Sequence, residues 1–196
     1  MSQRGLTTII SLLAVVVVGA VVWYLASPLF FDNVVEEDFP ISIPSAEEIE
    51  QMSEEEKAQK EEEIMEAAAK MPDKEMEEAM PEGEPIALSQ GQFVDADSVH
   101  KGSGSATIYQ LPDGKNLLRF EDFNVTNGPD LHVLLATSPK PTSSSDIGEY
   151  VDLGSLKGNI GSQNYEIPAD VNLDQYQSIV IYCMPFHVVF STATLQ

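Results

Sequence analysis

From Leu6 to Phe31 no side chain carries a formal charge, and Leu6 to Leu25 is apolar apart from threonines, a serine and a glycine. Wound as a helix at about 1.5 Å per residue, such a run crosses the roughly 30 Å of a bilayer's hydrocarbon. The sequence therefore predicts a chain divided by a lipid bilayer: an N-terminus at 1–5, a transmembrane anchor at 6–31, and the remainder beyond it. Arg4 precedes the run, and Asp32, Glu36, Glu37 and Asp38 follow it. Basic residues set orientation, so the N-terminus reads as cytoplasmic and the C-terminal domain as outside, in a single-pass cell-membrane protein. A cleaved signal peptide is the alternative. Its apolar region would be shorter, about 7 to 15 residues, and the best cleavage position, near Ala26-Ser27, has bulky Tyr24 where a small residue is needed.

Beyond the anchor, residues 32–90 read as an acidic, partly helical stalk. Between Glu36 and Glu84 nineteen acidic residues stand against four lysines, which is most of the chain's net charge of −22. A chain so short of basic clusters does not bind nucleic acid, because phosphates must be neutralised by Lys and Arg. Ser45 with Glu48 has the spacing of a capping box, and Ala, Glu, Lys and Met then favour helix as far as Lys70. Glu56 with Lys60 and Glu66 with Lys70 are spaced for helical ion pairs. Ile49, Met52, Ala58, Ile64, Met65 and Ala68 leave gaps too wide for a coiled-coil seam, so the segment reads as a solvated spacer. Met65, Met71, Met76 and Met80 offer thioethers that suit cuprous ion, although methionine is equally a good helix former.

At Gly91 the texture changes to short alternating runs punctuated by Gly, Pro, Asn and Asp, which predicts an all-β, antiparallel β-sandwich domain over 91–196. Candidate strands are 92–94, 106–111, 115–125, 131–137, 150–153, 164–167 and 177–183, with 188–195 continuing in extended form. Pro112-Asp113-Gly114 predicts a hairpin turn, Asn127-Gly128-Pro129-Asp130 a second tight turn, and 138–146 an exposed loop. Asn124-Val125-Thr126 is a glycosylation sequon.

The densest chemistry lies in Tyr182-Cys183-Met184-Pro185-Phe186-His187. A thiol, a thioether and an imidazole are soft or borderline donors, so Cys183, Met184 and His187 are candidate ligands for haem or copper, and Cys183 is a candidate redox thiol. Pro185 removes a ladder hydrogen bond, which predicts that the strand bulges or leaves the sheet near the thiol. Two His and one Cys also suggest a cupredoxin-like copper carrier with His132 or His100 as the upstream metal ligand beside His187. No methionine follows His187, however, to serve as its axial ligand. The plainer reading is a buried cysteine that fills space and histidines that close turns. As the only cysteine, it forms no intrachain disulfide and rules out a lipoprotein. No nucleophile-elbow or phosphate-loop pattern marks a hydrolase or transferase, so a stand-alone enzyme is the lesser reading.

Several ordered motifs agree with one family. Gly91-Gln92-Phe93, His100 to Ala106, Leu118 to Phe123, Asn127 to Val133, Leu156 to Tyr165 and the strand ending in Tyr182-Cys183 followed by Phe186 together resemble the DM-thirteen domain, also called the electron-transfer DM-thirteen domain, over about 91–195. The resemblance implies a β-rich extracytoplasmic module with a key cysteine, here Cys183, that takes part in redox chemistry as a thiol or by holding a group such as haem. It also implies a membrane b-type cytochrome or another redox protein as partner. His100 and His132 fall on motifs without an assigned role. Met184-Pro185 stand where basic residues are common in the family, and His187 stands where a small residue is usual. Two readings follow: a membrane-anchored redox or electron-transfer module centred on Cys183, with haem, copper or no cofactor, and a cell-surface interaction or scaffold domain with a structural cysteine.

Overall fold

The computed structural model describes Pro44 and residues 46–196, so the anchor read at 6–31 and the cap read at Ser45 lie outside the described residues. No helix among the described residues is long and apolar enough to cross a membrane. Among the described residues two helices, α1 (Ala46–Gln51) and α2 (Glu54–Ala69), precede nine strands: β1 (Glu75–Glu77), β2 (Ile86–Asp95), β3 (Gly102–Gln110), β4 (Asn116–Val125), β5 (Leu131–Ala136), β6 (Tyr150–Ser155), β7 (Ile160–Ile167), β8 (Ser178–Cys183) and β9 (Val188–Thr194).

The C-terminal domain is mostly β, as the alternation predicts. Its strands form one nine-stranded sheet in the order β1-β7-β4-β3-β2-β9-β8-β5-β6. All neighbours are antiparallel except β1 and β7. β2 joins the two halves: its first part pairs with β3, whereas Phe93–Asp95 pair with β9. The sheet curls there, and side chains from both halves meet in one core. Phe93, Ile108, Leu118 and Phe120 come from one half, and Val133, Leu135, Ile179, Ile181 and Phe190 from the other. Phe93, Phe120 and Phe123 pack with centroids 4.8 to 4.9 Å apart, with Tyr165 5.3 Å from Phe120. Offset and edge contacts of this kind suit the ring quadrupole.

β8 is buried along its whole length. Alternate residues Ile179, Ile181 and Cys183 face the main core, while Val180 and Tyr182 join Leu134, Ala136, Ile147 and Val189 in a smaller cluster. The loop from 137 to 149 covers that outer face. It is tied down where Ser178 Oγ donates to the Ser138 carbonyl at 2.6 Å and Thr192 Oγ1 to the Pro141 carbonyl at 2.9 Å. A strand covered on both faces reads as a continuous apolar run, which is how β8 appears in the sequence.

The acidic segment is helical where composition favours helix, and Ser53 with Glu56 makes a capping box at the start of α2. Glu56 is spent on that cap, so Lys60 pairs with Glu63 at 2.9 Å, while Lys70 meets Glu66 as spaced at 2.6 Å. α2 is more than a solvated spacer: Ile64 and Ala68 are 0 % exposed, and Met65 packs on the main core. One helical turn of small apolar residues is too short for a coiled-coil seam, yet it suffices to cover a patch of the sheet's core.

After α2 the chain lies as a strap on β7. Asn159 Oδ1 accepts from the Lys74 amide at 2.7 Å, and its Nδ2 donates to Asp73 at 2.7 Å and to the Val125 carbonyl at 3.3 Å. Glu78 receives Lys157 Nζ at 2.8 Å and the Asn164 amide at 2.7 Å, and the Arg119 guanidinium donates to the Glu78 carbonyl. A Cβ on Gly158 would lie 2.5 Å from the Lys74 carbonyl oxygen, and one on Gly161, held at φ +96°, would enter the Met76 carbonyl. Only residues without side chains let the strap lie this close.

Candidate functional site

The site is built at the hairpin between β8 and β9. Cys183 pairs with Leu131 on one side and Val188 on the other, and the register shifts between Ile181 and Tyr182. The predicted irregularity near the thiol is thus present. Met184, Pro185 and Phe186 form the turn, and His187 completes it in the left-handed region at φ +56°.

Cys183 is 0 % exposed, and its Sγ donates to the Pro129 carbonyl at 3.2 Å. Burial pushes the thiol up to about 12, helped by the carboxylates of Asp130 and Glu61 and opposed by the Phe186 amide. The resting side chain is therefore a protonated thiol, far from the activated thiolate that nucleophilic redox chemistry needs.

A cleft of about 570 Å³ opens beside it, within the size range of small-molecule sites. One wall is the hairpin turn itself, Met184 to His187, with Asp130 beside it, and Ile49, Met52, Lys57, Lys60 and Glu61 of the helical segment face them. Met184 and His187, chosen from the sequence, are thus brought together on one surface with Cys183 directly behind them. His187 Nδ1 lies 3.1 Å from the Tyr182 hydroxyl, and burial raises the Tyr182 phenol above its ordinary value.

The other two histidines are held elsewhere. His100 Nδ1 meets Asp97 at 2.7 Å and its ring packs 4.3 Å from that of Phe190. Asp97 also accepts the Val99 and His100 amides at 2.7 Å each, so this cluster closes the loop between β2 and β3. His132 stands opposite Tyr182 in the register, on the sheet face away from Cys183. Its Nδ1 is 2.8 Å from Asp152, and its Nε2 is 3.3 Å from both Asp130 and Ser155. Among the described residues no group of three His, Cys, Asp or Glu side chains could hold a metal ion, so the two-His, one-Cys arrangement of a cupredoxin is not assembled here. Met65 is used in core packing and Met76 lies over Gly158, which accounts for two of the four spacer methionines.

Sequence reading missed the helical wall of the cleft and the contact between the Tyr182 hydroxyl and His187. Asp130 was marked only as a turn residue, and nothing local signals that Lys57, Lys60 and Glu61 meet a hairpin far downstream. The Tyr182–His187 pair had a signal, since a five-residue span across a tight turn brings its ends together.

The profile of the family described as electron transfer DM13 matches residues 92–195. Among curated proteins and solved structures, none matches the chain.

Proposed function

The chain belongs to the electron transfer DM13 family, a family of electron-transfer domains, and from that premise we propose that it is a membrane-anchored, extracytoplasmic redox module whose working centre is the cleft beside Cys183. The anchor is residues 6–31, with the N-terminus cytoplasmic and the β domain outside, and a membrane cytochrome or similar redox protein is the partner. The uncharged run supports the anchor. The observation that carries the proposal is the cleft wall: the residues directly after the buried thiol, Met184 to His187, line it.

The donor set fits haem iron or copper in type. Met184 supplies a thioether and His187 an imidazole whose Nε2 is not the nitrogen bonded to Tyr182, and these donors suit both groups. Either group would supply one-electron chemistry when bound. The protein's own part is to hold the turn, with Cys183 packed beneath it and the helical wall limiting water. Cys183 does not line the cleft, so thiolate ligation requires the turn to open. The mixed charges of Lys57, Lys60, Glu61 and Asp130 around the rim suit a partially charged ligand edge.

The test is absorbance and electron paramagnetic resonance of the full chain purified in detergent, before and after addition of haem or copper salt. A signal that is lost in Met184→Leu and His187→Asn supports the cleft as the centre, and loss in Cys183→Ser as well marks the thiol as a ligand. A featureless spectrum in every case, with a thiol inert to alkylation, favours a scaffold domain. The sealed, hydrogen-bonded Cys183 is the observation in favour of that second reading.

A further inference from the structure

We propose that Lys57 and Lys60 of α2 clamp the acid groups of a flat ring ligand, so that the cleft takes a porphyrin-type dicarboxylate with its carboxylates against α2 and its ring over the hairpin turn. This rests on the cleft reading above and deepens it by naming the chemical class that the cleft accepts. The family match begins at residue 92, whereas α2 ends at Ala69. The clamp is therefore this chain's own addition to the family's domain.

Two observations narrow the ligand. The first is the number of donors. Met184 and His187 line the cleft, and among the described residues no group of three His, Cys, Asp or Glu side chains could hold a bare ion. Two donors are too few to enclose a naked metal, but they suffice for one whose other positions are filled by a ring of its own, which asks the protein only for axial partners. The second is the apolar part of the lining. Ile49 and Met52 from the helical segment, with Pro185 and Phe186 from the turn, offer surface to a largely apolar body within about 570 Å³.

The cations stand together on one wall. Lys57 and Lys60 are three residues apart in α2, so they share a helix face, and both line the cleft. Their present partners are easily exchanged. Lys57 meets Glu54 at 3.0 Å and Lys60 meets Glu63 at 2.9 Å, and those carboxylates are 92 % and 55 % exposed. Ion pairs so open to water add little stability, so a ligand carboxylate held in the half-enclosed cleft replaces them at small cost. Glu61 and Asp130 also line the cleft. Their charge repels an acid group placed against them, which leaves the two lysines as its place.

The experiment titrates metal-free mesoporphyrin IX, and separately its dimethyl ester, into the full chain in detergent micelles, read by porphyrin fluorescence with empty micelles subtracted. Without iron there is nothing for Met184 or His187 to ligate, so the outcome is independent of the haem and copper spectra that test the redox centre. The acid should bind, and the ester about a hundredfold more weakly. Lys57→Met and Lys60→Met keep an unbranched stem and a good helix former; each should weaken the acid about tenfold, and together about a hundredfold, with the ester unchanged. Glu61→Gln should act in the opposite direction and tighten the acid. Lys57→Arg with Lys60→Arg should retain binding, which separates loss of charge from loss of fold. Acid-selective binding by a chain that gives no haem or copper signal supports the clamp and removes only the redox reading. Equal binding of acid and ester, acid binding unchanged in the double Met variant, or no binding of either ring would overturn the clamp.

Discussion

The strap over β7 and the cleft beside β8 are both places where the acidic segment meets the β domain, and they are built in opposite ways. At the strap, backbone lies on Gly158 and Gly161, and Asn159, Glu78 and Lys157 satisfy the polar groups at 2.7 to 2.8 Å. At the cleft, sulfur, imidazole and charged side chains border open volume. A protein that only needed to seal its ends could have treated both like the first. The contrast separates a contact made for attachment from one that leaves room for a ligand.

That separation can be broken at its shared support first. Phe120→Ala removes a fully buried ring that contacts Phe93, Phe123 and Tyr165, and should cost about 3–5 kcal/mol in denaturant unfolding, loosening both places together. Gly161→Val should be next, at about 3 kcal/mol, since it combines a forbidden φ with a clash into the strap. Hydrogen exchange should then show lost protection over 73–79 with β8 still protected; equal loss in β8 would mean that the strap and the cleft are one unit. Asn159→Ala leaves the Lys74 amide without its acceptor and should cost about 1–3 kcal/mol, with faster proteolysis between α2 and β2.

At the cleft the expected signature is alkaline. The Cys183 thiol titrates near its ordinary value of 9 when unfolded and at about 12 when folded. Between those values the unfolded chain holds fewer protons, so stability is full below pH 9 and falls as pH rises toward 12. Cys183→Ser should flatten part of that fall in pH-dependent melting; an identical alkaline slope would show that the thiol is not sealed. Tyr165, also raised by burial, accounts for a share that remains. The smallest effect should be Met184→Leu, under about 1.5 kcal/mol in stability because volume is conserved. A larger loss would make Met184 a packing residue and weaken the distinction between the two places.

The β-rich domain was legible because burial on one or two faces writes itself into alternation or continuous apolar runs, as in β4 and β8. The hairpin turn at Gly114 and the disturbance after Cys183 were legible through Gly and Pro. β1 was not, because Glu75-Met76-Glu77 has three residues and two charges, and its pairing depends on glycines far away at 158 and 161. The docking of α2 was hidden for a related reason: Ile64 and Ala68 are two positions in a strongly acidic stretch, and composition averages them away. Cys183, Met184 and His187 were recognisable from donor chemistry. The sorting of His132 to the other face needed the register, which only the paired strands reveal.

The outermost strands of the sheet also bear on how copies of the protein behave when crowded. β1 ends one side with a glutamate on each flank of Met76, and β6 ends the other with an interrupted register against β5. An approaching copy that offered its own β1 would bring carboxylates against carboxylates along a ladder only three residues long. Such borders resist intermolecular strand addition, so a dense population should remain as separate particles instead of growing into fibrils.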